Sequence, residues 1–167
     1  MSTVTASVAP PVTYQQWLDC LSLLRGTSPS GSGVCDAMAR GSFSGSPVAL
    51  AALERQIAES IQASLTRTSR RFIREVNSGL EFHDFSQLEY LFRRFRTEVR
   101  QLQFFRELDF LLEQYRATLS DSIVREVSAY WDRLLRTLRR QTLEYSDPDL
   151  EDAVYRISRI KPFPRQE

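Results

Sequence analysis

The chain's one histidine, His83, stands beside Asp84 in Glu81-Phe82-His83-Asp84, and a histidine next to a carboxylate is the raw material of general base catalysis. Such a base needs a carboxylate to orient it and a nucleophile within hydrogen-bond reach. Neighbours in the chain rarely present both groups in that geometry, and no GxSxG or comparable nucleophile motif accompanies the pair. His83 therefore reads as a connector residue between two helices, and the chain as non-enzymatic. Cys20 and Cys35 form no CxxC and have no histidine near them, so neither a disulfide framework nor a zinc site is expected. Helical di-iron sites need ExxH pairs, and none occurs; Glu107, Asp109 and Glu113 lack a histidine partner. Gly31-Ser32-Gly33 follows no strand and lacks the GK[ST] ending of a phosphate loop, which leaves it a flexible linker. No cofactor and no metal are expected.

Arginine is the residue type whose spacing stands out. Of 22 basic residues only Lys161 is a lysine. Arg67, Arg70, Arg71 and Arg74 fall at i, i+3, i+4 and i+7; Arg93, Arg96 and Arg100 fall at i, i+3 and i+7, as do Arg133, Arg136 and Arg140. On a helix each set makes one stripe about two turns long. Guanidinium is planar, always charged and able to grip phosphate or carboxylate through two bonds. The stripes can hold an anionic partner, or they can be neutralised within the chain by Glu89–Arg93, Asp132–Arg136 and Arg71–Glu75 pairs at helical spacing. The 67–74 stripe is the strongest candidate, because only Glu75 offsets its four arginines.

The total charge limits what these stripes can do. With 21 acidic against 22 basic residues the net charge is +1, whereas nonspecific nucleic-acid binders carry a clear positive excess, so any basic surface must be local. A hydrophobic content of 42% and a charged content of 26% are ordinary for a globular chain able to bury a core. No apolar run reaches transmembrane length. The first residues lack a signal-peptide pattern, so an intracellular protein, cytoplasmic or nuclear, is expected.

The elements that would position the arginines read as all-α. Residues 1–12 read as a disordered arm. Residues 13–46 read as a short helix capped by Thr13, with Trp17 on its apolar face, followed by a Gly/Ser-rich loop that has room for a helical turn near 34–40. A helical core over 47–160 opens at Ser46-Pro47, a capping hydroxyl followed by proline, and its first helix runs to Gly79. Ser86 and Glu89 have capping-box spacing, and an apolar stripe then continues to about Ala117. A further helix is expected from Thr118 or Ser120, and Asp147-Pro148 starts a short last one; 161–167 read as a tail. The expected fold is an up-down bundle of three long helices with a short helix at each end.

Residues 86–117 carry more apolar side chains than one neighbouring helix can cover. Phe104, Leu108, Phe110 and Leu111, with Trp17, are therefore expected to form an association patch. The function expected from the sequence is protein–protein interaction, including self-association, as an adaptor or scaffold. The alternative is a nucleic-acid-binding or packaging protein that uses the arginine stripes.

Overall fold

The computed structural model describes residues 8–163. These residues are all-α: helices α1 (Tyr14–Gly26), α2 (Val34–Ala39), α3 (Pro47–Glu81), α4 (Leu88–Leu102), α5 (Glu113–Glu144) and α6 (Pro148–Ser158), with a 3-10 helix at Gln103–Glu107 and no strand. No helix among them is long and apolar enough to cross a membrane. The chain divides into two compact units, residues 1–66 with 98–121, and residues 67–97 with 122–167. Helices α3, α4 and α5 each give a segment to both units.

The starts of the helices follow from their capping residues. The Thr13 hydroxyl accepts from Gln16 N at 3.2 Å, and the Gln16 side chain accepts from Thr13 N at 3.1 Å, which closes a capping box. The Ser46 hydroxyl accepts from Ala49 N at 3.1 Å, and the Asp147 carboxylate accepts from Asp149 N at 2.9 Å ahead of Pro148 in the first turn of α6. Ser86 does not cap α4. Its hydroxyl donates to Asp84 Oδ1 at 2.6 Å, the helix begins at Leu88, and Glu89 is left for Arg93.

Two boundaries differ from the sequence expectation. The third expected helix does not run to Ala117. It stops at Leu102, continues as the 3-10 turn, and bends through 108–112 before α5 begins at Glu113 and passes Ser120 unbroken. The bend buries Phe104, Phe105, Leu108 and Leu111, each at 4% exposure or less, whereas a straight helix would have pointed some of them at water. The other difference is at the end of α3. The helix closes at Glu81, two residues beyond Gly79, and Gly79 serves a close approach: a Cβ there would lie 3.1 Å from Asp84 O.

The first unit is built on Trp17. This side chain is fully buried, donates from Nε1 to Ser42 O at 2.8 Å, and meets Phe110 edge-on at 5.6 Å. Arg25 Nε donates to Ser60 Oγ at 3.0 Å, and the Tyr115 hydroxyl donates to Glu54 O, tying α1 and the start of α5 to α3. Burial, and then the Glu54 charge, push the Tyr115 phenol up to about 12. Pro11 and Val12, within the arm expected to be disordered, accept backbone bonds from Ser42 and Ser44, each at 3.0 Å. Residues 1–7 of that arm lie outside the described residues.

In the second unit the residues of α3 and α4 pair in opposite chain order: Phe72 stacks on Phe95 at 4.2 Å, Glu75 meets Arg94, and Gly79 faces Leu88. That order makes the pair an antiparallel hairpin, as a short connection predicts. Trp131 of α5 closes the cluster, edge-on to Phe92 at 4.9 Å.

Candidate functional site

The three arginine stripes have different fates. On α3, Arg71 is half-buried, with its Nε 3.7 Å from Glu75, and the same carboxylate takes Arg94 at 2.6 Å. Arg67 is also engaged within the chain, which leaves Arg70 and Arg74 exposed. The 67–74 set therefore does not present four cations together, because a single well-placed carboxylate draws in one of its arginines and ties it to α4. On α4, Arg93 is exposed and pairs with Glu89 at 3.1 Å as expected, Arg96 is half-buried and engaged, and Arg100 is exposed.

On α5 the outcome is the opposite. Arg133, Arg136 and Arg140 are exposed, and among the described residues no carboxylate lies within 4.0 Å of them. The expected Asp132–Arg136 pair does not form. The buried face of α5 is Ile123, Val127, Trp131, Leu134, Leu135 and Leu138, and at 100° per residue the three arginines fall on the far side. Arg133 lies over the Tyr130 ring at 5.9 Å, a weak exposed cation–π contact.

Arg139, which the i, i+3, i+7 pattern passes over, flanks this face. With Arg136 and Lys161 it lines a groove of about 450 Å³ floored by Leu135 and Ile160, in which Asp132 is the one carboxylate among the described residues. Arg139 Nη2 donates to Ser158 Oγ at 3.4 Å, a long bond that leaves its other donors open to the groove. Arg139 and Lys161 could have been found from sequence only by knowing that the segment after α6 returns to α5.

A second groove in the same unit, of about 460 Å³, is acidic: Asp84, Glu89, Asp147, Asp149 and Asp152 line it with Arg156 and His83. Arg156 holds Asp152 at 2.7 Å and reaches Glu89 at 3.8 Å. The run Asp147-Pro-Asp-Leu-Glu-Asp152 was its signal, and a cap-and-proline reading of those residues accounts for only one of them. Among the described residues no group of three or more His, Cys, Asp and Glu is arranged to hold a metal ion.

His83 has a conformational role in the chain. Asp84 N donates to Gly79 O at 2.9 Å and His83 N to Leu80 O at 3.3 Å, the Schellman pattern that ends a helix, with His83 in the left-handed position at φ 53°. Its exposed ring touches Phe85 and Tyr145 edge-on at 5.9 and 6.0 Å. Glycine takes this conformation without the roughly 1 kcal/mol that a Cβ costs there. The His83→Gly variant is therefore expected to raise stability by about 0.5–1 kcal/mol in urea denaturation, and His83→Val to lower it. A clear loss in the glycine variant would show that the ring contacts outweigh the backbone.

The expected association patch is not exposed. Trp17, Phe104, Leu108 and Leu111 are buried in the first unit at 4% exposure or less, and Phe110 is half-buried between Trp17 and Phe43. Within the first unit α2 packs on the 3-10 turn, and Trp17 of α1 meets Phe110. Cys20 and Cys35 are buried free thiols; burial, and then neighbouring aspartates, raise both, Cys35 to about 12, so neither is an activated nucleophile.

The chain matches no model of a known protein family, no curated protein and no solved structure.

Proposed function

We propose that this chain is a non-enzymatic helical protein that works by protein–protein interaction, and that the basic face of α5 is where an acidic partner surface docks. The observation that carries the reading is the row Arg133, Arg136 and Arg140, exposed and without a carboxylate within 4.0 Å among the described residues. In a chain of net charge +1, cations left uncompensated on one face while acids gather in another groove form complementary surfaces, which set partner choice and encounter rate. Self-association loses its apolar basis, since those residues are buried. The acidic groove of a second copy gives it an electrostatic one.

A second reading, nucleic-acid binding, draws on the same row. Seven residues of helix span about 10 Å, enough for the three guanidiniums to follow successive phosphates. Anisotropy of labelled poly-glutamate and labelled DNA separates the two. Poly-glutamate is expected to bind at low salt and to be lost in R133E/R136E/R140E, but to be kept in R70E/R74E/R100E, which changes the charge equally. Tight DNA binding with no poly-glutamate binding would replace the protein partner with nucleic acid. Equal loss in both triple variants would reduce the face to overall charge.

A further inference from the structure

We infer that the groove beside this face, between α5 and the segment after α6, is a recognition site for a phosphorylated side chain on the partner protein. The inference rests on the proposed docking face and names what that face reads.

The cations of the groove come from two parts of the chain, Arg136 and Arg139 from α5 and Lys161 from beyond α6. The Ser158 hydroxyl in the lining is already committed, donating to Val154 O at 2.7 Å. Among the described residues Asp132 is the one carboxylate in the lining. A carboxylate ligand carries one charge and is satisfied by a single bidentate arginine. A phosphate monoester carries about −1.5 to −2 charges and three acceptor oxygens, so it makes use of cations that a carboxylate leaves idle, and it matches the three cations of the lining less the Asp132 charge. A phosphodiester carries a single charge and fits a linear row such as Arg133–Arg136–Arg140 better than a concave site.

The shape agrees with this assignment. About 450 Å³ over a floor of Leu135 and Ile160 takes one side chain with its phosphate and neighbouring backbone, and the apolar floor lowers the local dielectric beneath the charges. Arg139 Nη2 reaches Ser158 Oγ only through a long bond of 3.4 Å, so its guanidinium is free to turn to a ligand. Recognition of phosphorylated motifs by clustered arginines is a recurrent mode of peptide binding.

The test uses the full chain and three labelled peptides of one acidic sequence, with phosphoserine, serine or glutamate at the central position. The phosphoserine peptide is expected to bind about tenfold more tightly than the serine peptide, and severalfold more tightly than the glutamate peptide. R136A/R139A is expected to remove that preference, and R133A/R140A to weaken all three peptides alike while keeping it. Equal binding of the phosphoserine and glutamate peptides would overturn the phosphate assignment and leave the acidic docking face standing. No binding of any peptide, and none of poly-glutamate, would overturn both. A labelled DNA that competes as well as the phosphopeptide would replace the site with a general polyanion surface. Circular dichroism of each variant separates loss of binding from loss of fold, and all four arginines are exposed, so the helix is expected to survive.

Discussion

Replacing Trp131 with alanine is expected to lower stability by about 3–5 kcal/mol, the usual cost of removing a large buried aromatic. Trp131 is 2% exposed, edge-on to Phe92 at 4.9 Å, and near-parallel to Phe72 at 6.3 Å and Phe95 at 6.4 Å. These three rings come from α3 and α4, so the indole is what fastens α5 to that hairpin. Removing it leaves a cavity bounded by stiff rings that cannot collapse inward, because Phe72 and Phe95 are already stacked at 4.2 Å with 6° between their planes. Total stabilities run about 5–15 kcal/mol, so a loss of this size is a large fraction of the whole. Urea denaturation followed by far-ultraviolet circular dichroism measures the loss. Leu143→Ala on the same helix, at a side chain 86% exposed, is expected to stay within about 0.5 kcal/mol of the parent. A Trp131→Ala loss below about 1 kcal/mol would mean that the aromatic cluster does not hold the second unit together.

The all-α fold class and the caps at Thr13, Ser46 and Asp147 are legible in the sequence because they rest on local chemistry, a side-chain oxygen meeting a nearby N–H. The core face of α3 is legible from its 3.6 period, and that of α5 at Val127, Trp131, Leu134 and Leu138, whereas Ile123 and Leu135 widen it and Tyr145 falls outside it. The break after Leu102 is not. Phe104, Phe105, Leu108 and Leu111 continue a helical stripe, and no glycine or proline marks the bend. What breaks the helix is burial against α2, a distant contact that no window of sequence contains. The basic face was legible only in part. The spacing of Arg133, Arg136 and Arg140 is visible, but the same spacing at 67–74 is spent on Glu75. Arg71 and Arg94, on two different helices, share that carboxylate, and only the packing of α3 on α4 brings them together.

Gly41→Ala is expected to destabilise the first unit by about 1–3 kcal/mol, as overpacking a tight core does. Nothing in the local sequence demands glycine there, and the requirement is spatial. A Cβ at residue 41 would lie 2.7 Å from Trp17 Cζ2, 3.0 Å from Pro11 O and 3.1 Å from Met38 O. Two of these atoms are backbone acceptors already in use, since Ser42 N donates to Pro11 O and Gly41 N to Met38 O, each at 3.0 Å. Trp17 cannot retreat either, because its Nε1 bond to Ser42 O at 2.8 Å and its contact with Phe110 fix the ring from both sides. The indole is the nearest of the three, and a double-mutant cycle isolates its share. Trp17→Phe removes Cζ2 and leaves Ser42 O without its donor, and by itself is expected to cost about 2 kcal/mol or more. In the double variant the new methyl enters the space the indole leaves, so the combined loss is expected to fall short of the sum by about 1 kcal/mol. Strict additivity would assign the clash to Pro11 O and Met38 O alone. In that case the residues before α1 and the turn after α2, rather than the tryptophan between them, set how closely the chain can pass at Gly41.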